Sequence, residues 1–417
     1  NMNVLVAGAG VIGVTTAWFL ARKGYRVTVL DRQPDVAMET SFANGGQVSM
    51  SGSEPWANPG APLQVLKWLG REDAPLLIRL KADPQLWAWA IRFLSQCPPG
   101  STRKNTLQIL RLAMHSNRQL AETCAETGIN FGQRNNGILH FYTDQAAFES
   151  AQSFASIMVE QGLRRTVLSV DETIAVEPAM SSCRDKLKGA IHTPDDSSGD
   201  ARSFTLALRD HAVEEGVEFR QNVSIEQLDA TDDRIRGLYV RNVSGEQEHL
   251  QADAYVIALG SYSPQLLKPV GIHAPIYPVK GYSATVDTTG YTGCPVTSLT
   301  DESRKLVFSR LGDNFRIAGT AELTGYDTSI SKTRCDALID RASELWPDAG
   351  DYSTAEFWAG LRPATPGNVP LIGKTRYSNL YLNTGHGTLG WTLSCGSASV
   401  LAETISGREP VLNFANF

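Results

Sequence analysis

The chain opens on an apolar run, Val4-Leu5-Val6-Ala7, and passes through Gly8-Ala9-Gly10-Val11-Ile12-Gly13 into Val14 to Lys23, a stretch of helical composition that stops at Gly24. A β-branched run from Tyr25 to Leu30 follows and closes on Asp31. Short apolar runs on either side of a helical stretch predict strand, turn, helix and strand. Similar runs return far downstream. Val217 to Gln227 and Arg236 to Val243 read as a meander, and Ala254-Tyr255-Val256-Ile257 reads as a buried strand ending in the turn Ala258-Leu259-Gly260-Ser261. Leu380 to Asn383 precedes a second glycine run, Gly385-His386-Gly387-Thr388-Leu389-Gly390, and a helical stretch from Trp391 to Ile405. Ile276 to Tyr282 begins another strand.

The first glycine run has the form G-x-G-x-x-G between strand and helix, with an acid about 20 residues on, which is the pattern of a dinucleotide-binding βαβ unit. Gly8 permits the tight turn, Gly10 lets a pyrophosphate approach the backbone, and Gly13 lets helix pack on strand. Ala9, Val11 and Ile12 present backbone to the phosphates at the helix N-terminus. Asp31 is placed to accept the adenosine ribose hydroxyls. Arg32 suits the extra phosphate of NADP, but Asp31 beside it repels one.

Glu39 to Gln47 adds a polar, glycine-bearing stretch in which Thr40, Ser41, Asn44, Gly45, Gly46 and Gln47 offer hydroxyl, amide and backbone groups. FAD is long and needs such further anchors. Val223 can meet the adenine through its backbone, and the turn Ala258-Leu259-Gly260 approaches the same cofactor. No strand follows Gly385 to Gly390, so this run is not a second nucleotide fold. Its helix N-terminus suits the negative charge that a reduced flavin gathers on its pyrimidine ring.

The length of 417 residues suits two interlocked domains. The expected architecture is α/β (α+β), with a discontinuous Rossmann-like FAD-binding domain at 1–48, 196–268 and 358–417. A mixed-sheet substrate domain takes 49–195 and 269–357, and Gly189 to Gly199 reads as a crossover between the two. The balance of 38 basic and 44 acidic residues, net −6, lacks the basic bias of a nucleic-acid binder. Six cysteines without a C-x-x-C pair or a neighbouring His cluster argue against a metal site and read as reduced thiols. With no basic segment ahead of the first apolar run, the expected location is the cytoplasm.

Several of these stretches in their order, GAGVIGV, DRQP, ETSFANGGQVS, PWANPGAPL, ADAYVIALGSYSPQLL, YPVKGYS, FWAGLRPATP and LNTGHGTLGW, give the chain its resemblance to the bacterial D-amino-acid dehydrogenase small subunit. That family stands within the wider superfamily of D-amino-acid, glycine and sarcosine oxidases, and the likeness covers essentially the whole chain. It implies non-covalent FAD and oxidation of a small or neutral D-amino acid to the 2-oxo acid and ammonia, or to an imine from a cyclic one. Electrons would pass to a quinone or other respiratory acceptor, at the cytoplasmic face of the inner membrane and in a homo- or hetero-oligomer. An oxygen-using oxidase of the same superfamily and a catalytically silent FAD subunit are the competing readings.

An amino acid poised for oxidation is best held by its carboxylate, and the planar fork of an arginine is the fitting clamp. Arg362, after Gly360 and between residues that include Pro363 and Pro366, matches the superfamily's carboxylate-binding arginine and is expected on a stiff loop beside the cofactor. Tyr277, Lys280 and Tyr282 alternate along one strand, so not all of them can face a pocket. Tyr282 is the favoured second carboxylate or lid contact. His386 is placed either to accept a proton from the substrate ammonium or to orient backbone. Between 55 and 100 lie Trp56, Trp68, Trp87 and Trp89, half of the eight tryptophans, amid Leu-rich helical stretches with scattered Lys and Arg. That composition suits either a lipid-facing surface or a helical cover for the flavin domain.

Overall fold

A computed structural model describes residues 1–414. The opening strand Asn3–Ala7, helix Val11–Arg22 and strand Arg26–Leu30 form as their pattern predicts. They enter a six-stranded sheet in the order Leu371–Lys374, Leu380–Thr384, Ala254–Ile257, Asn3–Ala7, Arg26–Leu30, Glu218–Arg220. All its pairings are parallel except that of the first two strands. The central strands are buried on both faces, which is why they read as unbroken apolar runs and not as alternation. The meander forms a three-stranded antiparallel sheet of Ser224–Ala230, Ile235–Arg241 and Gln247–Leu250.

The second large sheet is mixed and has nine strands. Its path runs Asp351–Ala364, Tyr277–Asp287, Asn314–Leu323, Leu306–Leu311, Ser298–Asp301, Ile138–Tyr142, Gly189–Thr193, Thr166–Leu168, with Leu76–Ile78 added beside Asn314–Leu323. Trp346 fills its core, edge-on to Phe141, Phe308 and Phe315. The division expected at 358 cuts the strand Asp351–Ala364. Register pairs from Tyr277–Ala364 to Asp287–Asp351 keep that whole strand in the mixed sheet. Gly360 and Arg362 therefore sit on a strand and not on a proline-stiffened loop.

The C-terminal helix Gly390–Ile405 is buried against both the opening helix and the long helix Pro99–Thr127. At Gly396 a Cβ would lie 2.6 Å from the Ser116 Cβ, and the Gly396 N–H donates to Ser116 Oγ at 3.0 Å. This packing aims the helix N-terminus, and the glycine run before it, between the two sheets.

Candidate active site

A cavity of about 1570 Å³ lies there, reaching from Gly8 and Asp31 past Gly46 and Leu389 to Arg362. Single-ligand pockets hold roughly 300–1,000 Å³, so this one has room for a cofactor and a substrate together.

The glycine loop fits a pyrophosphate for separable reasons. Gly8 has φ +107°, and a Cβ there would stand 2.2 Å from the Ala258 carbonyl oxygen at the end of the neighbouring strand. A Cβ on Gly13 would stand 1.7 Å from the Gly8 oxygen, so helix and strand meet with no room for a side chain. At Gly10 the nearest atom is Ser41 Oγ at 3.3 Å, and this face lines the cavity. Ser41 Oγ also accepts the Val11 N–H at 3.0 Å. The first-turn N–H groups of the helix have no intrahelical acceptor, so the remaining ones are available to an anion.

Asp31 does more than the ribose role expected of it. Oδ2 accepts the Ala9 N–H at 2.7 Å and Oδ1 the Gln33 N–H at 2.8 Å, so the carboxylate ties the glycine loop to the second strand. A carboxylate has about four acceptor positions, and capacity for a ribose remains. Burial raises its pKa, against those two backbone hydrogen bonds. Arg32 lines the cavity, pairs with Glu39 and lies 4.2 Å from the Tyr262 ring centroid, so its charge is already answered within the protein. The Val223 N–H donates to the Asp31 carbonyl at 2.9 Å, leaving only its carbonyl for an adenine.

The loop from Thr40 to Gln47 joins the two sheets. Thr40 Oγ1 donates to the Leu361 carbonyl at 2.9 Å, Asn44 Oδ1 accepts the Gly46 N–H at 3.0 Å, and Gln47 Nε2 donates to Ser298 Oγ at 3.0 Å. Gly45 leaves space for the Val307 side chain, and Gly46 takes φ +76°. Thr40, Asn44 and Gln47 thus use their side chains to shape the cavity they line.

At the other end of the cavity, Gly385 and Gly387 have φ +79° and +58°, and Thr388, Leu389 and Gly390 line the wall where the C-terminal helix begins. His386 is 3% exposed, and its Nε2 lies 2.8 Å from Ser397 Oγ. Burial pushes its pKa down to about 3, which favours the neutral ring. Its backbone bridges to Ala364, which fixes the glycine run to the strand that carries Arg362. The orienting role is the one the structure supports. Asn383 Oδ1, buried beside this run, has no hydrogen-bond partner and can receive a donor from a ligand.

Arg362 lines the cavity, and Nη1 donates to the Thr320 carbonyl at 2.6 Å. Among the described residues no carboxylate lies within ion-pair distance of it. Burial and the nearby Arg334 cation push its pKa down to about 10, so it remains charged at neutral pH and lacks a counter-ion. A Cβ at Gly281 would lie 2.2 Å from Nη2; that glycine makes room for the guanidinium. Thr320 has φ +60° and sits where the register between the strands Tyr277–Asp287 and Asn314–Leu323 slips. The bulge turns its carbonyl toward Arg362.

Tyr277, Lys280 and Tyr282 need correction. Tyr282 lines the cavity beside Gly281 and Arg362, but it is 1% exposed and its hydroxyl donates to Glu322 Oε2 at 2.7 Å, so that hydrogen is already committed. Burial raises its pKa, as does the Glu322 bond. Lys280 Nζ donates to the Ser329 carbonyl at 2.8 Å and is 3.7 Å from Glu322, and it does not line the cavity. Tyr277 donates to Asp83 at 2.9 Å and packs on Trp89. Glu322 anchors this network with Arg79, and its separation in sequence from its partners concealed it. Trp89, Ile78, Leu86 and Leu323 form an apolar wall on the Arg362 side of the cavity. Part of the tryptophan-rich excursion is thus pocket lining. Among the described residues no His, Cys, Asp and Glu group could hold a metal ion.

Comparison with known proteins assigns the family. The family described as FAD dependent oxidoreductase matches residues 3–404, and the chain belongs to that family. Within it, the chain is 53% identical to a D-amino acid dehydrogenase of Dechloromonas aromatica, covering 99% of each. It is 50% identical to one of Paramagnetospirillum magneticum, covering 99% of this chain and 97% of that protein. Among solved structures, glycine oxidase from Geobacillus kaustophilus matches with a TM-score of 0.75 at 20% identity, over 100% of this chain and 98% of that one. L-proline dehydrogenase from P. horikoshii matches at 0.76 and 16% identity, over 99% and 95%. The cofactor is FAD.

Proposed function

We propose that this chain oxidises D-amino acids with small or apolar side chains, and delivers the electrons to a lipid-soluble acceptor. The observation that carries the reading is Arg362, a half-buried guanidinium with no carboxylate within ion-pair distance among the described residues, on the wall of a cavity shaped for FAD. Bound FAD supplies a hydride acceptor for the substrate α-carbon. Arg362 takes the carboxylate on its free N–H groups, Thr320 and Gly281 hold the guanidinium in place, and the wall of Trp89, Ile78, Leu86 and Leu323 receives the side chain and excludes water. The 53% and 50% identical relatives support the D enantiomer. An anaerobic titration of the holoprotein with D- and L-amino acids, followed by the flavin absorbance, tests this. Apolar D-amino acids are expected to bleach the flavin and their L enantiomers not. Bleaching by neither overturns the reading, and peroxide formed in stoichiometric yield under air assigns an oxygen-using oxidase instead.

The acceptor reading rests on the surface. Among the described residues, seven of the seventeen exposed large apolar side chains lie between 63 and 94: Leu63, Leu66, Leu69, Leu80, Trp87, Ile91 and Leu94. Helix Ala61–Trp68 buries none of its residues, and Leu66, Leu69, Leu80, Trp87 and Leu94 also line the cavity. Exposed apolar side chains that also line a redox cavity, with Lys67, Lys81 and Arg92 in the same segment, suit a lipid surface. No helix among the described residues is long and apolar enough to cross a membrane. Each fully buried apolar side chain contributes about 1.5–3 kcal/mol, so the double variant Leu66→Glu with Ile91→Glu is expected to lower vesicle partitioning by roughly tenfold or more. The measurement is co-sedimentation with anionic vesicles at low salt, and wild-type protein that stays in the supernatant refutes the lipid contact.

A further inference from the structure

A second polar cluster lies in the cavity wall, away from Arg362. Ser51 Oγ is 2.7 Å from His140 Nε2 and donates to Asp196 Oδ2 at 2.5 Å. His140 Nδ1 is 2.7 Å from Glu302 Oε1, and Glu302 Oε2 accepts from Lys305 Nζ at 3.0 Å. Ser51, His140 and Asp196 are 6%, 6% and 1% exposed, while the Lys305 side chain reaches solvent. Ser51, His140, Glu302 and Lys305 all line the cavity. The short helix holding Ser51, Met50–Ser53, is fastened to the redox end: the Ser49 N–H donates to Thr392 Oγ1 at 2.9 Å, and a Cβ on Gly52 would meet Leu389 at 3.3 Å.

Counting hydrogens makes the cluster informative. An ionised carboxylate only accepts, so Glu302 requires a proton on His140 Nδ1. Burial alone would raise the Glu302 carboxyl, but the Lys305 ammonium and the His140 bond outweigh it and hold it well below the usual carboxylate range. Ser51 has one hydroxyl hydrogen. If it goes to an ionised Asp196, His140 Nε2 must donate to Ser51 and the ring is an imidazolium; if Asp196 is protonated and donates to Ser51, that hydrogen goes to a neutral His140. The two arrangements differ by one proton passed through Ser51 Oγ.

We propose that Asp196, Ser51 and His140 form a proton relay in the cavity wall, moving one proton between Asp196 and His140 while Glu302 fixes the histidine ring. Resting on the proposed function, the relay in its unloaded form, with Asp196 ionised, His140 neutral and Ser51 donating to Asp196, takes the proton that the reaction releases and so reaches one of the two loaded arrangements. The substrate R–CH(NH3+)–COO− loses one N–H proton to the relay through cavity water, and its Cα–H bond breaks with the electron pair leaving to the cofactor as hydride. The product is R–C(=NH2+)–COO−, which water hydrolyses to the 2-oxo acid and ammonium. With His386 buried and bonded to Ser397, no other imidazole near the glycine run is free for this proton. The charged and titratable groups around His140 are Glu302, Lys305, Asp196, Glu54, Arg165 and Tyr142.

The test is the ring titration of His140 in holoprotein labelled with ¹⁵N-histidine, one of seven histidines, assigned with His140→Gln. Nδ1, which faces Glu302, is expected to stay protonated throughout, and Asp196→Asn is expected to change the pH response of the ¹⁵N resonance of Nε2, the nitrogen that faces Ser51. Ser51→Ala is expected to abolish that response, so that Asp196→Asn in the Ser51→Ala background leaves His140 unmoved. A His140 that is neutral throughout, or that responds to Asp196→Asn equally with and without Ser51, overturns the relay. In stopped-flow flavin reduction, Ser51→Ala is expected to shift the pH profile of the limiting rate while leaving the substrate dissociation constant unchanged; an unshifted profile also overturns it. If no amino acid reduces the wild-type flavin, the proposed function fails, and the NMR titration still decides whether the proton is shared.

Discussion

Replacing Arg362 by alanine is expected to raise the substrate KM by roughly 100- to 4000-fold while FAD stays bound, since removing one partner of a charge pair that the bound substrate buries costs about 3–5 kcal/mol. The loss concentrates in binding because the fork holds the carboxylate in ground and transition states alike, away from the bonds that break. Lysine is expected to restore little, because the guanidinium is held by Thr320 and can present parallel N–H groups, which a point ammonium cannot. Gly281→Ala gives an independent check: a Cβ would intrude to 2.2 Å from Nη2, and the clamp must move. Steady-state kinetics with D-alanine, alongside the flavin-to-protein ratio, decide the matter. A KM within threefold of wild type for the alanine variant removes Arg362 from the substrate site.

Gly13→Val is expected to yield protein with little or no FAD. Its Cβ would lie 1.7 Å from the Gly8 carbonyl oxygen, a rigid backbone atom, so the helix must lift from the strand and carry away the N–H groups that meet the pyrophosphate. Gly10→Ala is the contrasting variant. Its nearest neighbour is a hydroxyl at 3.3 Å, so the apoprotein is expected to fold and only cofactor affinity to fall. Flavin content after gel filtration, and far-ultraviolet circular dichroism to confirm folding, separate the two effects. Normal flavin content in the valine variant contradicts the packing role assigned to Gly13.

How much was legible in the sequence differs by feature. The cofactor end was readable because its signals are local. A strand buried on both faces has to be apolar, a turn at φ +107° favours glycine, and an acid at the end of the next strand can reach the turn. The run Gly385 to Gly390 was readable for the same reason. Arg362 was identified by chemistry and resemblance, but its setting was misread, since prolines 363 and 366 suggested a loop where the pairing with Tyr277–Asp287 holds a strand.

The remainder depends on contacts between segments far apart in the chain. Tyr282 is an ordinary strand tyrosine until the register places Glu322 2.7 Å from its hydroxyl. Nothing local marks Thr320 for a left-handed backbone; the register slip between two strands imposes it. Ser51, His140, Asp196 and Glu302 come from four separate segments, and only the meeting of the mixed sheet with the loop after Gly46 makes them one hydrogen-bonded chain. The sequence by itself determined the nucleotide unit, the cofactor and the glycine turns that line the cavity, because each follows from residue type at short spacing. Tertiary structure alone decided which polar groups are free to act: a side chain's hydrogen-bonding capacity is set by its type, but whether another residue has already taken it is set by the fold.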